Sequence, residues 1–175
     1  MVNKNKAVFF DRDGVLNKTL LKNGKPYAPR NIKEFKIISD AHSILDYLTS
    51  LNYLIFVVTN QPDVGNGYID KVIVEEMHKM ILDQLPIQEI FTCYHSQKDN
   101  CPCRKPKTGM LEKAHKKFNL NIKDCFIVGD RFSDIEAGRK FKFQTIMIGA
   151  GYGEKPLAKP DFNINKLEDL RSIIF

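Results

Sequence analysis

The apolar run Ala7-Val8-Phe9-Phe10 stops at Asp11-Arg12-Asp13-Gly14-Val15, and this junction limits the folds open to the chain. An apolar strand ending in two carboxylates one residue apart puts those acids at the carboxyl edge of a sheet, where open α/β folds carry their chemistry. Two carboxylates so close repel each other, so a cation belongs beside them. Asp oxygens are hard ligands, and Mg²⁺ is the simplest such cation. Taken alone, D-x-D also occurs in surface turns, so the rest of the chain has to decide.

The rest of the chain repeats the pattern. Apolar runs near 7–10, 54–58, 90–94, 125–128 and 144–148 read as strands, alternating with amphipathic segments near 40–51, 70–84, 109–118, 134–142 and 166–174. Such alternation predicts right-handed βαβ units around a parallel sheet. Asp40 and Asp70 are placed to cap their helices, and Ser133-Asp134-Ile135-Glu136 has the form of a capping box. Two stretches break the alternation. Residues 14–38, with Gly14, Gly24, Pro26 and Pro29, suit a flap over the site; residues 95–108, rich in Cys, Lys and Pro, lack a helical period.

The chain has 175 residues, 43% of them hydrophobic, which fits one domain over 1–175 with a sizeable core. No apolar stretch approaches the length of a membrane span, and Met1 to Lys6 lacks the apolar region of a signal peptide, so a cytoplasmic protein is expected. The net charge of +6 comes from lysines spread along the chain, which reads as a solvated basic surface more readily than as a nucleic-acid footprint. Basic balance also suits acidic surfaces or a phosphorylated substrate, which a positive field would help steer. Cys93, His95, Cys101 and Cys103 form C-x-H-x₅-C-x-C. Three thiolates and an imidazole match a closed tetrahedral Zn²⁺ site with no position left for substrate, and hence a structural metal. Cys125, inside an apolar run, reads as a small core residue.

Phe10-Asp11-Arg12-Asp13-Gly14-Val15-Leu16-Asn17 resembles motif I of the haloacid dehalogenase (HAD) superfamily of phosphotransferases. Thr59-Asn60-Gln61, Arg104-Lys105-Pro106, and Val128-Gly129-Asp130-Arg131 with Asp134 resemble the later motifs, in family order, over residues 7 to about 150. The resemblance implies a HAD-like Rossmannoid α/β fold, a three-layer sandwich on a central parallel sheet. No insertion large enough for a cap domain separates the motifs. It further implies Asp11 as nucleophile, giving an aspartyl-phosphate, and Asp13 as general acid and base. Mg²⁺ would be held by Asp11, Asp130 and the backbone carbonyl of Asp13, with the Arg131 backbone as a further candidate. Thr59, Asn60 and Gln61 would bind phosphoryl oxygens or substrate, Lys105 would offset the negative charge, and Arg104 would fork onto phosphate or sugar hydroxyls. Asp134 reads equally as a holder of a metal-bound water and as an acid favoured in the first turn of a helix.

The cysteine pattern, with Lys105-Pro106-Lys107-Thr108-Gly109-Met110-Leu111, is similar to a zinc-loop subgroup that contains heptose bisphosphate and histidinol phosphate phosphatases. That likeness implies a small phosphorylated metabolite, best matched by a sugar bisphosphate, and a monomer. It also implies a zinc loop over about 93–108 that holds Arg104 and Lys105 in place. Three departures bear on specificity. Asn66 stands where the heptose enzymes carry Arg, Tyr94 stands where they carry Pro, and the flap segment Leu20 to Tyr27 is longer. Lys22, Lys25 and Tyr27 are candidates to supply lost recognition. A phosphatase for DNA 3′ ends and a non-catalytic zinc module are the competing readings.

Overall fold

The computed structural model describes residues 4–22, 25–156 and 158–175. Gly24 and the side chains of Lys22 and Lys25 lie outside the described residues. The strands are β1 (Asn5–Phe10), β2 (Leu20–Lys22), β3 (Lys25–Tyr27), β4 (Tyr53–Asn60), β5 (Glu89–Cys93), β6 (Leu120–Gly129), β7 (Gln144–Ile148) and β8 (Phe162–Ile164). The helices are α1 (Ala41–Ser50), α2 (Pro62–Gly65), α3 (Lys71–Gln84), α4 (Gly109–Phe118) and α5 (Phe132–Lys140).

Six strands form one sheet in the order β5-β4-β1-β6-β7-β8, every pair parallel. Side chains alternate across it, because successive residues of a strand point to opposite faces. Val8 and Phe10 of β1, Ile55 and Val57 of β4, and Val128 of β6 face Ile44, Leu45 and Leu48 of α1 and Val74, Met77 and Ile81 of α3. Ala7, Phe9, Phe56, Val58 and Ile127 face the other way, onto Met110, Leu111 and Ala114 of α4 and Ala137 of α5. Both layers are needed because a parallel sheet has no solvated face. The expected three-layer sandwich is present, without a large cap.

Sheet order also positions the site. β1 lies between β4 and β6, so the chain leaves it to one side and later returns on the other. This is a topological switch point, and the carboxyl ends of the strands open a crevice there. Asp11, Asn60 and Asp130 all follow or end these three strands. The flap expected over 14–38 contains the antiparallel hairpin β2–β3, with Leu20 opposite Tyr27.

Several local expectations need correction. Asp40 has near-helical backbone angles and makes no capping bond; its carboxylate accepts from the Ser39 hydroxyl at 2.9 Å. Asp70 is extended but likewise caps nothing through its side chain. α5 begins at Phe132, earlier than expected, so Ser133 is not the cap; the Asp134 carboxylate instead accepts from the Arg131 N–H at 3.2 Å. The segment expected as a helix over 166–174 is a tighter 3₁₀ turn, Leu167–Ser172, which buries Leu167 and Leu170. The short strand β8 was not anticipated, since three residues are too few to show alternation. Among the described residues, no helix is long and apolar enough to cross a membrane.

Candidate active site

Asp11 follows β1 directly, its N–H donating to the Val128 carbonyl at 2.9 Å. The Arg12 N–H donates to Asp11 Oδ1 at 2.7 Å. Lys105 reaches the same oxygen at 3.0 Å, Asp134 Oδ1 at 2.5 Å and the Val58 carbonyl at 2.6 Å. Three acceptors match the three protons of an ammonium group, so Lys105 is held as a buried fixed cation. Its acceptors also favour the charged form, and its pKa is raised despite burial. The lysine backbone is held too: its N–H donates to Asn60 Oδ1 at 3.0 Å, and its carbonyl accepts from Asn60 Nδ2 at 3.1 Å. The side chain of Asn60 therefore grips the loop carrying Lys105.

Carboxylate oxygens of Asp11, Asp130 and Asp134 come within 4.8 Å of one another. Burial and mutual repulsion push Asp130 up to about 8. Burial raises Asp11 to about 6, even with Lys105 pulling the other way. Asp130 Oδ2 accepts from the Tyr152 hydroxyl at 2.8 Å, while its Oδ1 is buried without a hydrogen-bond partner. An orphaned carboxylate oxygen among crowded acids fits a hard divalent cation. Asp134 fits less well as a direct ligand, being committed to Lys105 and the Arg131 N–H. Gly14 (φ +85°) closes the approach: a Cβ there would lie 1.9 Å from Asp130 Oδ2.

Asp13 sits in a different environment. Arg12 spans both its oxygens at 2.9 Å, Asn17 Nδ2 donates at 2.9 Å, and Gln61 Nε2 donates at 2.6 Å. Burial alone would raise its pKa, but the Arg12 charge and this set of donors outweigh it and hold Asp13 below the usual carboxylate range. Two acids two residues apart thus have opposite character.

Asp11 and Asp13 open onto a crevice of about 490 Å³, also lined by Tyr27, Asn60, Gln61, Arg104, Lys105, Asp130 and Arg131. Arg104 Nη1 is buried without a partner. Arg131 is ion-paired with Glu154 at the rim. Thr59 is buried behind this wall, where its hydroxyl accepts from Gln61 Nε2 at 2.9 Å. Asn66 donates to Gln97 Oε1 at 3.1 Å, joining the end of α2 to the cysteine-rich loop.

That loop brings Cys93, His95, Cys101 and Cys103 together. His95 Nδ1 lies 3.7 Å from Cys93 Sγ and 3.3 Å from Cys103 Sγ, and Cys101 Sγ lies 3.5 and 3.4 Å from the other two sulfurs. A zinc ion about 2.3 Å from each sulfur and about 2.0 Å from the imidazole needs separations near these. The group could therefore hold zinc with little rearrangement. Burial pushes the Cys93 thiol up to about 12, so binding would displace protons. Lys107 ties the loop to itself, donating to the Asn100 and Cys101 carbonyls at 2.9 Å.

The sequence reading did not single out Arg12, Asn17, His78 or Tyr152. Arg12 and Asn17 lay inside the quoted motif but had no assigned work. Tyr152 offered a faint signal, a tyrosine between two glycines, and it adopts φ 53° with Gly151 and Gly153 both at φ 69°.

Residues 102–170 match the model of the HAD-hydrolase-like family. The chain is 35% identical over 150 residues to D-glycero-alpha-D-manno-heptose-1,7-bisphosphate 7-phosphatase of Campylobacter jejuni, covering 83% of each chain. It is 30% identical over 158 residues to the beta-anomer 7-phosphatase of Pseudomonas aeruginosa, covering 87% of this chain and 86% of that one. Its fold is similar to the crystal structure of a D,D-heptose 1,7-bisphosphate phosphatase from B. bronchiseptica complexed with magnesium and phosphate. That match has a TM-score of 0.81 at 23% identity and covers 96% of this chain and 99% of that one. With the fold, the ordered motifs and these relatives taken together, the chain belongs to the heptose-1,7-bisphosphate 7-phosphatase family of HAD-like hydrolases.

Proposed function

We propose that the protein is a Mg²⁺-dependent phosphomonoesterase that removes the 7-phosphate from D-glycero-D-manno-heptose 1,7-bisphosphate. The observation that carries this reading is Lys105, held between Asp11 and Asp134 beside the unpartnered oxygen of Asp130, at the wall of an open crevice.

Asp11 attacks phosphorus in line, forming an aspartyl-phosphate as the ester P–O bond breaks. Asp13, ionised in the free protein by its Arg12 contact, takes up a proton before it gives one to the departing sugar oxygen, and then takes one from the water that cleaves the aspartyl-phosphate. Mg²⁺ held by Asp11, Asp130 and the Asp13 backbone would neutralise charge on the transferring phosphoryl group. Lys105 contributes fixed positive charge at the same place, already oriented before substrate arrives. Arg104, with a nitrogen free of protein partners, is suited to the rest of the substrate. Zinc on Cys93, His95, Cys101 and Cys103 has a structural role. The sugar bisphosphate comes from the named activities of the relatives. Reduced cysteines grouped for metal suit a cytoplasmic setting.

Phosphate release with Mg²⁺, from both anomers of the heptose bisphosphate and from histidinol phosphate, tests this. Turnover of one heptose anomer, abolished by Asp11→Asn in a folded protein, is the expected result. Activity on histidinol phosphate alone would replace the substrate. Full activity of the Asp11→Asn protein would sink the mechanism.

A further inference from the structure

Arg12 is wholly buried, and its guanidinium turns back on Asp13. Nε donates to Asp13 Oδ1 at 3.2 Å, and Nη2 donates to both carboxylate oxygens at 2.9 Å. Its remaining nitrogen, Nη1, lies 3.2 Å from Nε2 of His78, on the buried face of α3 among Val74, Met77 and Ile81. The guanidinium also lies 5.7 Å from the centre of the Phe35 ring. A guanidinium can only donate, so His78 Nε2 must accept. The imidazole is therefore neutral, with its proton on Nδ1. Burial and the Arg12 charge act in the same sense, pushing His78 down to about 3.

A polar ring on an apolar helix face calls for a reason, since buried polar groups are kept where they are satisfied and where they fix geometry. Here the ring meets a cation whose other end grips the crevice-facing acid. We propose that His78 is a positioning residue for the proton transfers at Asp13: it anchors Arg12, and Arg12 fixes the orientation of the carboxylate. The inference rests on the phosphatase reading given above. Without the acceptor on α3, Nη1 is left buried and unpaired, Arg12 has reason to turn away, and Asp13 loses the group that spans both its oxygens.

The test uses His78→Met, which fills the space without an equivalent acceptor, and His78→Gln, whose side-chain oxygen can replace Nε2. Phosphoenzyme formation is followed in single turnovers from the heptose bisphosphate and from 4-nitrophenyl phosphate. The sugar oxygen leaves only with a proton, whereas 4-nitrophenolate leaves without one. His78→Met is expected to slow transfer from the sugar roughly 10- to 100-fold, a fraction of what general acid catalysis supplies. Transfer from 4-nitrophenyl phosphate should stay within about twofold of wild type, and His78→Gln should recover most of the loss. Equal losses on both substrates, no loss, or no recovery with Gln would overturn the proposal. A second measurement requires neither turnover nor a stable variant. Nitrogen NMR of the wild-type imidazole at neutral pH should show the proton on Nδ1; a proton on Nε2, or on both nitrogens, rejects the relay. A wild type that leaves heptose bisphosphate untouched would sink the substrate reading, and the tautomer would still decide the relay.

Discussion

Asp130 and Asp11 are held in the fold against their ordinary acidity, and the sign of that effect can be tested. Burial with neighbouring carboxylates raises Asp130 from 3.8 to about 8, and burial raises Asp11 to about 6. A raised folded pKa means that the folded state keeps protons the unfolded chain would release. Their contribution to stability is complete below the unfolded value of 3.8 and is lost as pH rises through the folded values. Asp13 and Asp161, whose pKa values are lowered, lose stability only as pH falls through 3.8 and below. His78, lowered from 6.5 to about 3, opposes the trend only below 6.5, over a shorter stretch of pH than Asp130 covers. The metal-free protein should therefore melt at a lower temperature near pH 8 than near pH 5.5, and added Mg²⁺ should raise the melting temperature more at the higher pH. Calorimetry at the two pH values, with and without Mg²⁺, would check this. An equal Mg²⁺ effect at both would contradict the crowded-acid account. The acids themselves were legible in the sequence because each follows or ends an apolar run. Their helpers were less so. His78 is 66 positions from Arg12, and no local period reports such a pair. Motif order places Asn60 and Gln61 beside substrate, and both line the crevice; that their amides also grip Lys105 and Asp13 follows only from the packed structure.

The cysteine-rich loop is where one element sets the geometry of another. It runs from the end of β5 to the start of α4 and carries Arg104 and Lys105 immediately after Cys103. Gly65 of α2 is pressed against it, since a Cβ there would lie 2.4 Å from the Ser96 nitrogen and 2.7 Å from the Tyr94 carbonyl. Lys105 is also held from the other side by Asn60 at the end of β4. Zinc removal should therefore loosen residues 95–108 and lower turnover several-fold or more through Arg104 and Lys105, as losing a supporting shell does. The carboxylates that would hold Mg²⁺ lie on other elements, so Mg²⁺ binding should survive. Hydrogen exchange across the loop, with Mg²⁺ titration of the chelated protein, is the measurement. Unchanged exchange and turnover after verified zinc loss would refute the stapling role. The loop was visible in the sequence because ligand spacing is local. The helix ends were less legible: Asp40 and Asp70 have the chemistry of caps, but neither side chain makes the bond.

For the whole molecule, the sheet order brings acids from the ends of β1 and β6, and Asn60 from the end of β4, to one crevice, and the surface charge decides how substrate reaches it. Lys105 is neutralised locally by Asp11 and Asp134, and Arg131 by Glu154. The attraction felt at a distance thus comes mainly from the net charge of +6, to which Arg104 in the crevice wall adds. Such a field is screened by salt: the Debye length shrinks from about 30 Å at 0.01 M to about 8 Å at 0.15 M. At constant Mg²⁺, kcat/KM for the bisphosphate should fall across this range, and more steeply than for a monophosphate ester, which carries less charge. The kcat should change little, because Asp11, Asp13 and Lys105 are largely buried and their contacts are poorly screened. Initial rates at several ionic strengths separate the two effects. A kcat that falls in parallel with kcat/KM would mean that salt disturbs the buried contacts themselves, and a flat kcat/KM would mean that the basic surface has no part in drawing substrate to the crevice.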